Sequence, residues 1–289
     1  MCIVYSTLIT RCAPEQRFCA CLWKHFHMKV ERLFLSCFGW RELKMERNLT
    51  MTDSKSHDLR AQENRVMAVD EWLDRWKEGK TGFHQDQVHK LLKKHLDTVL
   101  DGRKEIRWFF PLCGKAVDMK WLADMGHTIV GVDVSEIAIK EFFTDQNLPY
   151  TEEPVPAIAG AKAFKSSDGK ISLYKCNLYD FCSSIAGKFD GIWDRGSLVA
   201  INPSDRQRYA TLIVSLMTKD CRYLLDTLLY NPSLYKGPPF YVPDDAVANL
   251  FGQMCNIQML ESVDALTERQ KAWGIDYFTE KVHLLTLTS

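Results

Sequence analysis

A strand-like run, Ile106-Arg107-Trp108-Phe109-Phe110, breaks at Pro111-Leu112-Cys113-Gly114-Lys115, and one helix later Thr128-Ile129-Val130-Gly131-Val132-Asp133 follows. Two buried strands joined through a glycine loop and a helix form the βαβ unit of a parallel sheet, which leaves few folds open. In a doubly wound sheet, ligands sit outside the carboxyl ends of the strands, and an acidic residue about 20 positions beyond the glycine loop takes ribose hydroxyls. Gly114 lacks a Cβ and so permits close backbone approach, while Asp133 offers two acceptor oxygens at the next strand end. Together they describe a nucleoside-binding device.

Each residue alone also has an ordinary reading, Gly114 as a turn glycine and Asp133 as a cap for the helix starting near Ser135-Glu136. The loop lacks the G-x-G-x-x-G spacing that seats a pyrophosphate on a helix N-terminus. A nicotinamide or flavin dinucleotide is therefore disfavoured against a phosphate-free mononucleoside, a description that S-adenosylmethionine fits.

A chain of 289 residues, 46% hydrophobic and 26% charged, has the composition of an ordinary soluble globular protein. Its formal net charge of zero argues against a nucleic-acid groove and for a small-molecule substrate. No apolar run approaches the roughly 18 residues of a membrane span. Ten cysteines are scattered without paired metal-ligand spacing, so free thiols in a reducing, cytoplasmic compartment are expected, with no metal. Cys113, inside the glycine loop, has no His or acid at a motif-like offset and is assigned to packing. Balanced charge and the lack of a heptad seam make a monomer the expected state.

Residues 1–50 differ from the rest. They hold five of the ten cysteines and eight Lys/Arg against four Glu, without the apolar core and cleavage site of a secretory signal. They are expected to be a poorly ordered extension upstream of Met51, with residues 51–289 forming the domain.

Within that domain, Val66, Val69, Trp72, Leu73 and Trp76 recur at helical spacing from about Ala61 until Gly79, and Val88 to Val99 form a second amphipathic helix closed by Asp101-Gly102. Strands at 106–112, 128–134, 171–178, 189–193, 223–229, 256–263 and 282–287 then alternate with helices at 115–125, 135–147, 205–217 and 244–252. No strong helix separates the last two strands, so a hairpin should reverse one of them. The expected fold is α/β, a doubly wound, seven-stranded, mostly parallel sheet with one antiparallel strand, the class I methyltransferase variant.

The words Trp72-x3-Trp76-x6-Phe83-His84, Phe109 through Trp121, Trp193-Asp194-Arg195-Gly196, Gly237-Pro238-Pro239-Phe240-Tyr241-Val242-Pro243 and Glu268-Arg269-x2-Ala272-Trp273-Gly274 resemble the thiopurine S-methyltransferase family from Trp72 onward. That resemblance implies methyl transfer from S-adenosylmethionine to the sulfur of aromatic, heterocyclic or thiopurine thiols. It implies that Trp72 and Phe83 wall the cofactor, and Trp76 of the same helix is assigned with them, although a core aromatic is its ordinary reading. Leu112 and Gly114 would contribute backbone from the loop, and Asp133, where the family often has Glu, would take the ribose. Asn177 and Leu178 would flank the adenine, unless Asn177 merely caps a turn. Arg195 matches a residue near the methionine end of the cofactor and the acceptor.

A sulfonium makes its methyl electrophilic, so the protein mainly has to align donor, methyl and sulfur, which can supply up to roughly 7–11 kcal/mol. Arg195 and Arg269, forked and permanently charged, are the candidates to hold an anionic thiol beside Phe83, against the common fate of an arginine in a surface ion pair. Asp194 either orients Arg195 or caps the next turn, and is assigned no proton transfer. Two other classes stay open at this point: an NAD-dependent oxidoreductase, which uses the same βαβ unit, and a non-catalytic binding protein with this fold.

Overall fold

The computed structural model describes residues 66–288, so the expectations for residues 1–50 and for helix before Val66 fall outside the described residues. The first described helix, α1 (Val69–Lys77), starts later than its apolar spacing suggests. The reason is tertiary: the amide side chain of Asn202 accepts from Met67 N at 2.8 Å and donates to Met67 O at 3.1 Å, holding residues 66–68 out of the helix. Helix α2 (Lys90–Leu100) buries Leu91, Leu92, Leu96 and Val99 at three- and four-residue steps and stops at Asp101 and Gly102, both at positive φ.

The remaining elements are β1 (Arg107–Pro111), α3 (Val117–Asp124), β2 (Thr128–Asp133), α4 (Glu136–Asp145), β3 (Tyr150–Pro154), β4 (Lys162–Ser166), β5 (Ile171–Lys175), α5 (Ser183–Ala186), β6 (Phe189–Asp194), α6 (Arg206–Ser215), β7 (Met217–Leu229), α7 (Asp244–Phe251), β8 (Cys255–Asp264), α8 (Glu268–Lys271) and β9 (Thr279–Leu287). They build one sheet of order β3-β4-β5-β2-β1-β6-β7-β9-β8. Strands β5, β2, β1, β6 and β7 are parallel, and β9 slots antiparallel between β7 and β8 as the expected hairpin.

Among the described residues the strand count is a correction, nine rather than seven, with two reversed rather than one: the proline-rich crossing 149–156 contains β3, and β4, antiparallel to both β3 and β5, is the second reversed strand beside β9. Exposed Glu152 and Glu153 on β3 broke the apolar pattern that marks strands, yet an edge strand carries such charges to blunt its unpaired side. Glu152 pairs with Lys162, and Glu153 with Lys165.

Side-chain alternation along the strands divides the core into two layers. Trp108, Phe110, Ile129 and Trp193 join Leu92 and Leu96 of α2 on one face, while Phe109, Val130 and Ile192 join Tyr209 and Ile213 of α6 on the other. Fully burying each such side chain contributes about 1.5–3 kcal/mol. The sheet is thus clamped on both faces, and its strand ends are left to loops. No helix among the described residues is long and apolar enough to cross a membrane.

Candidate active site

The chain turns left after β1 and right after β6, so the loops at their carboxyl ends diverge and leave a crevice. A cavity of about 910 Å³ occupies it. Every residue assigned to the cofactor or the acceptor from the sequence lines it: Trp72, Trp76, Phe83, Leu112, Gly114, Asp133, Asn177, Leu178, Arg195 and Arg269.

Its floor is the loop after β1. Leu112 has φ +44 and Gly114 φ +49, a left-handed conformation that a non-glycine residue such as Leu112 adopts at a cost of about 1–3 kcal/mol. Asp133 holds this loop: one carboxylate oxygen accepts from Gly114 N at 2.8 Å and the other from Ser135 N at 2.8 Å. Ser135 caps α4 with its own hydroxyl, so Asp133 is a brace between two loops rather than the helix cap. Burial pushes its carboxyl upward, against backbone N–H groups of Ser135, Gly114 and Val134 that favour the anion. The carboxylate retains acceptor capacity beyond these internal bonds.

The roof is aromatic. Phe83 meets the Trp72 and Trp76 rings edge to face, with centroids 5.9 and 5.6 Å away. Trp76 is buried, as a core aromatic should be, but it packs onto the glycine loop: a Cβ on Gly114 would lie 3.2 Å from Trp76 Cζ2. Trp76 therefore joins Trp72 and Phe83 in walling the cavity. Arg195 donates from Nη1 to the Phe83 carbonyl at 2.9 Å, and Arg269 donates to the neighbouring Gly82 carbonyl while its guanidinium lies 5.7 Å from the Trp273 ring. Neither arginine forms a carboxylate ion pair among the described contacts; both grip the roof.

Asn177 caps a turn, its side-chain oxygen accepting from Tyr179 N at 3.0 Å, and it lines the cavity as well. Leu178 is buried beside it. Cys113 packs against Gly131, where a Cβ would come within 2.8 Å of its sulfur, and burial drives its thiol well up, consistent with packing rather than nucleophilicity. Asp194, fully buried, accepts from the hydroxyls of Tyr209 and Tyr223 at 2.6 Å each and from Leu198 N at 3.0 Å. It caps the turn after Arg195 and so fixes where β6 delivers that arginine.

Sequence reasoning missed a buried polar group at the back of the cavity. Glu280 Oε1 lies 3.1 Å from His89 Nε2, Asp226 stands beside Glu280, and Asp118 accepts from His89 N at 2.7 Å. The signal was there: Asp226 interrupts Tyr223-Leu224-Leu225 and Thr227-Leu228-Leu229, and an acid inside an apolar strand is rarely buried without a partner.

A model of the family described as thiopurine S-methyltransferase matches residues 67–288. The chain belongs to that family. A probable thiopurine S-methyltransferase of Danio rerio is 63% identical over 228 residues, which cover 79% of this chain and 98% of that relative. The thiopurine S-methyltransferase of Rattus norvegicus is 59% identical over 233 residues, covering 80% and 97%. Among solved structures, a Burkholderia thailandensis 1,6-didemethyltoxoflavin-N1-methyltransferase with bound S-adenosylhomocysteine superposes with a TM-score of 0.52 at 14% identity, covering 77% of this chain and 92% of that one. That likeness carries the methyltransferase fold, while membership of the thiopurine S-methyltransferase family rests on the sequence matches.

Proposed function

We propose that this chain transfers the methyl group of S-adenosylmethionine to the sulfur of thiopurines and other aromatic or heterocyclic thiols. The observation that carries the reading is convergence: the ribose-type acid Asp133, the glycine loop, the aromatic roof and two arginines all meet in one cavity. The cradle fits a phosphate-free nucleoside, because the loop presents no row of glycines for a pyrophosphate and its single glycine, Gly114, already lies against the Trp76 ring.

Bound S-adenosylmethionine supplies an electrophilic methyl on a sulfonium. Asp133 would hold the ribose, Leu112 and Gly114 the backbone side, and Asn177 and Leu178 the adenine. Trp72, Trp76 and Phe83 would exclude water above it. Arg195 and Arg269 would orient an anionic thiol, each presenting a fixed fork of N–H donors. None of these residues needs to move a proton for such a thiolate.

The dinucleotide-dependent oxidoreductase alternative gains nothing from the family match. We further read the protein as a monomer working in the cytoplasm; five described cysteines are free thiols, as a reducing compartment requires. The test is transfer of radiolabelled methyl to a thiopurine and to an aryl thiol, beside calorimetric titration with S-adenosylhomocysteine and with NAD. Saturable transfer and binding of the nucleoside alone support the reading. Nucleoside binding without transfer to any thiol would leave a binding protein.

A further inference from the structure

Asp226 on β7 faces Val282 across the β7–β9 ladder, and Leu228 faces Glu280, so both acids lie on one sheet face, one diagonal step apart. His89, at the head of α2, closes the group from above. The side chains of His89, Asp226 and Glu280 each bring a ligand-type atom within 4.8 Å of the others, and all three are buried yet line the cavity. Two buried carboxyls this close cannot both be ionised without a cation or a shared proton.

Among the described residues, two atoms of the group lack partners: Asp226 Oδ1 and His89 Nδ1 are buried without a hydrogen bond, in residues only 3% and 4% exposed. A buried polar atom left open beside a ligand-sized cavity is costly unless something fills it. Asp194 at the end of β6, Arg195 after it and Asp118 on α3 are the other charged groups acting on the cluster. Arg195 forms no ion pair with either acid among the described contacts and reaches them only through its field, so the counterpart for the pair is a shared proton.

Burial, and then the charge of Glu280, hold Asp226 well above the usual carboxylate range. Burial opposes ionisation of Glu280 too, but the bond to His89, the bond from Asp226 and the nearby Arg195 outweigh it and keep Glu280 low. The pair is therefore one proton and one negative charge, with Glu280 as the anion. It has room for one more proton.

We propose that the Asp226–Glu280 pair, backed by His89, is a proton-accepting wall that lets the pocket bind and methylate neutral heterocyclic thioamides, acceptors whose ring N–H adjoins C=S. The proposal rests on the methyl-transfer reading above. The ring N–H donates to Glu280. As sulfur bonds to the incoming methyl, the pair of electrons that held that methyl stays on the donor sulfur. The C=S π pair supplies the new S–C bond, the N–H pair becomes ring C=N, and the proton passes to Glu280. The arginines serve acceptors that arrive as thiolates; the carboxyl pair serves those that arrive protonated on nitrogen.

The experiment compares wild type with Glu280→Gln and Asp226→Asn, on a heterocyclic thione and on an aryl thiol without ring nitrogen. With wild type, kcat/KM for the thione is expected to hold as pH falls below the pKa of the free thione. In Glu280→Gln it should drop at least tenfold and track the thiolate fraction, while aryl-thiol turnover and calorimetric affinity for S-adenosylhomocysteine stay within threefold. Asp226→Asn keeps a donor to Glu280 and should show the same selectivity more weakly; it carries the comparison if the glutamine variant does not fold. Thione absorption read in the S-adenosylhomocysteine complex, without turnover, should persist to higher pH on wild type than in free solution, and lose that displacement in Glu280→Gln. Equal loss on both acceptors, unchanged thione kinetics, or a stoichiometric metal ion in the purified protein that Glu280→Gln removes would overturn the proposal. Absence of methyl transfer from wild type to either acceptor would instead sink the functional reading itself.

Discussion

Arg195 spans 112 positions of sequence to donate from Nη1 to the main-chain carbonyl of Phe83 at 2.9 Å. With Arg269 on the adjacent Gly82 carbonyl, it pins the roof loop between α1 and α2 over the cavity. Both residues assigned to the acceptor are thus also what shuts the site, so substrate charge and roof position are read by the same guanidinium.

Arg195→Glu is expected to lower kcat/KM for anionic thiols at least a hundredfold, about 2.7 kcal/mol of transition-state stabilisation. Affinity for S-adenosylhomocysteine should fall far less, since Asp133 and the glycine loop are untouched. Limited proteolysis should cut the variant faster between residues 78 and 85. Equal loss of turnover and binding would indicate misfolding instead.

Asp133→Ala removes the acceptor of two backbone N–H groups as well as the proposed ribose contact. Each buried donor left open costs about 1–3 kcal/mol, so the dissociation constant of S-adenosylhomocysteine should rise at least about tenfold and thermal stability should fall. Asp133→Asn keeps one acceptor oxygen and should lie between. Calorimetry that finds unchanged affinity in Asp133→Ala sinks the ribose assignment.

Gly114→Ala should disturb the same floor from the opposite side. Its φ of +49 costs an L-residue about 1–2 kcal/mol, and the new methyl meets Trp76 at 3.2 Å. The expected result is weaker nucleoside binding with altered tryptophan fluorescence from the displaced Trp76.

Tyr209→Phe and Tyr223→Phe each remove one hydroxyl from the buried Asp194 carboxylate. Hydrogen bonds to charged groups contribute about 1.5–3 kcal/mol, so urea denaturation should register that loss for each variant. The double variant should deviate from additivity, because both hydroxyls share one carboxylate oxygen.

Burial lowers the pKa of His283 and, with Lys170, of His127. Their folded values lie below the unfolded value of about 6.5, so between the two the unfolded chain holds more protons. Their contribution is full above about pH 6.5 and is lost as pH falls through the folded values. Denaturation free energies measured between about pH 7.5 and 5.5 should decline, and His283→Gln should flatten the decline.

Much of this was legible along the chain. The glycine loop with Asp133 nineteen residues on, the parallel strands as apolar runs and the roof aromatics at helical spacing are local patterns, set by backbone geometry and burial period. The family words carried the arginines. What sequence could not show was the second duty of each group: Asp133 bracing Gly114 and Ser135, Trp76 lying on the floor loop, Arg195 and Arg269 holding carbonyls. Strand β3 was hidden because its edge position selects charge over alternation. The cluster of His89, Asp226 and Glu280 came only with tertiary structure, since three elements distant in the chain meet there. Sequence periodicity reports which side of a strand or helix is dry; it carries no record of which dry sides meet, and a shared proton depends on that meeting.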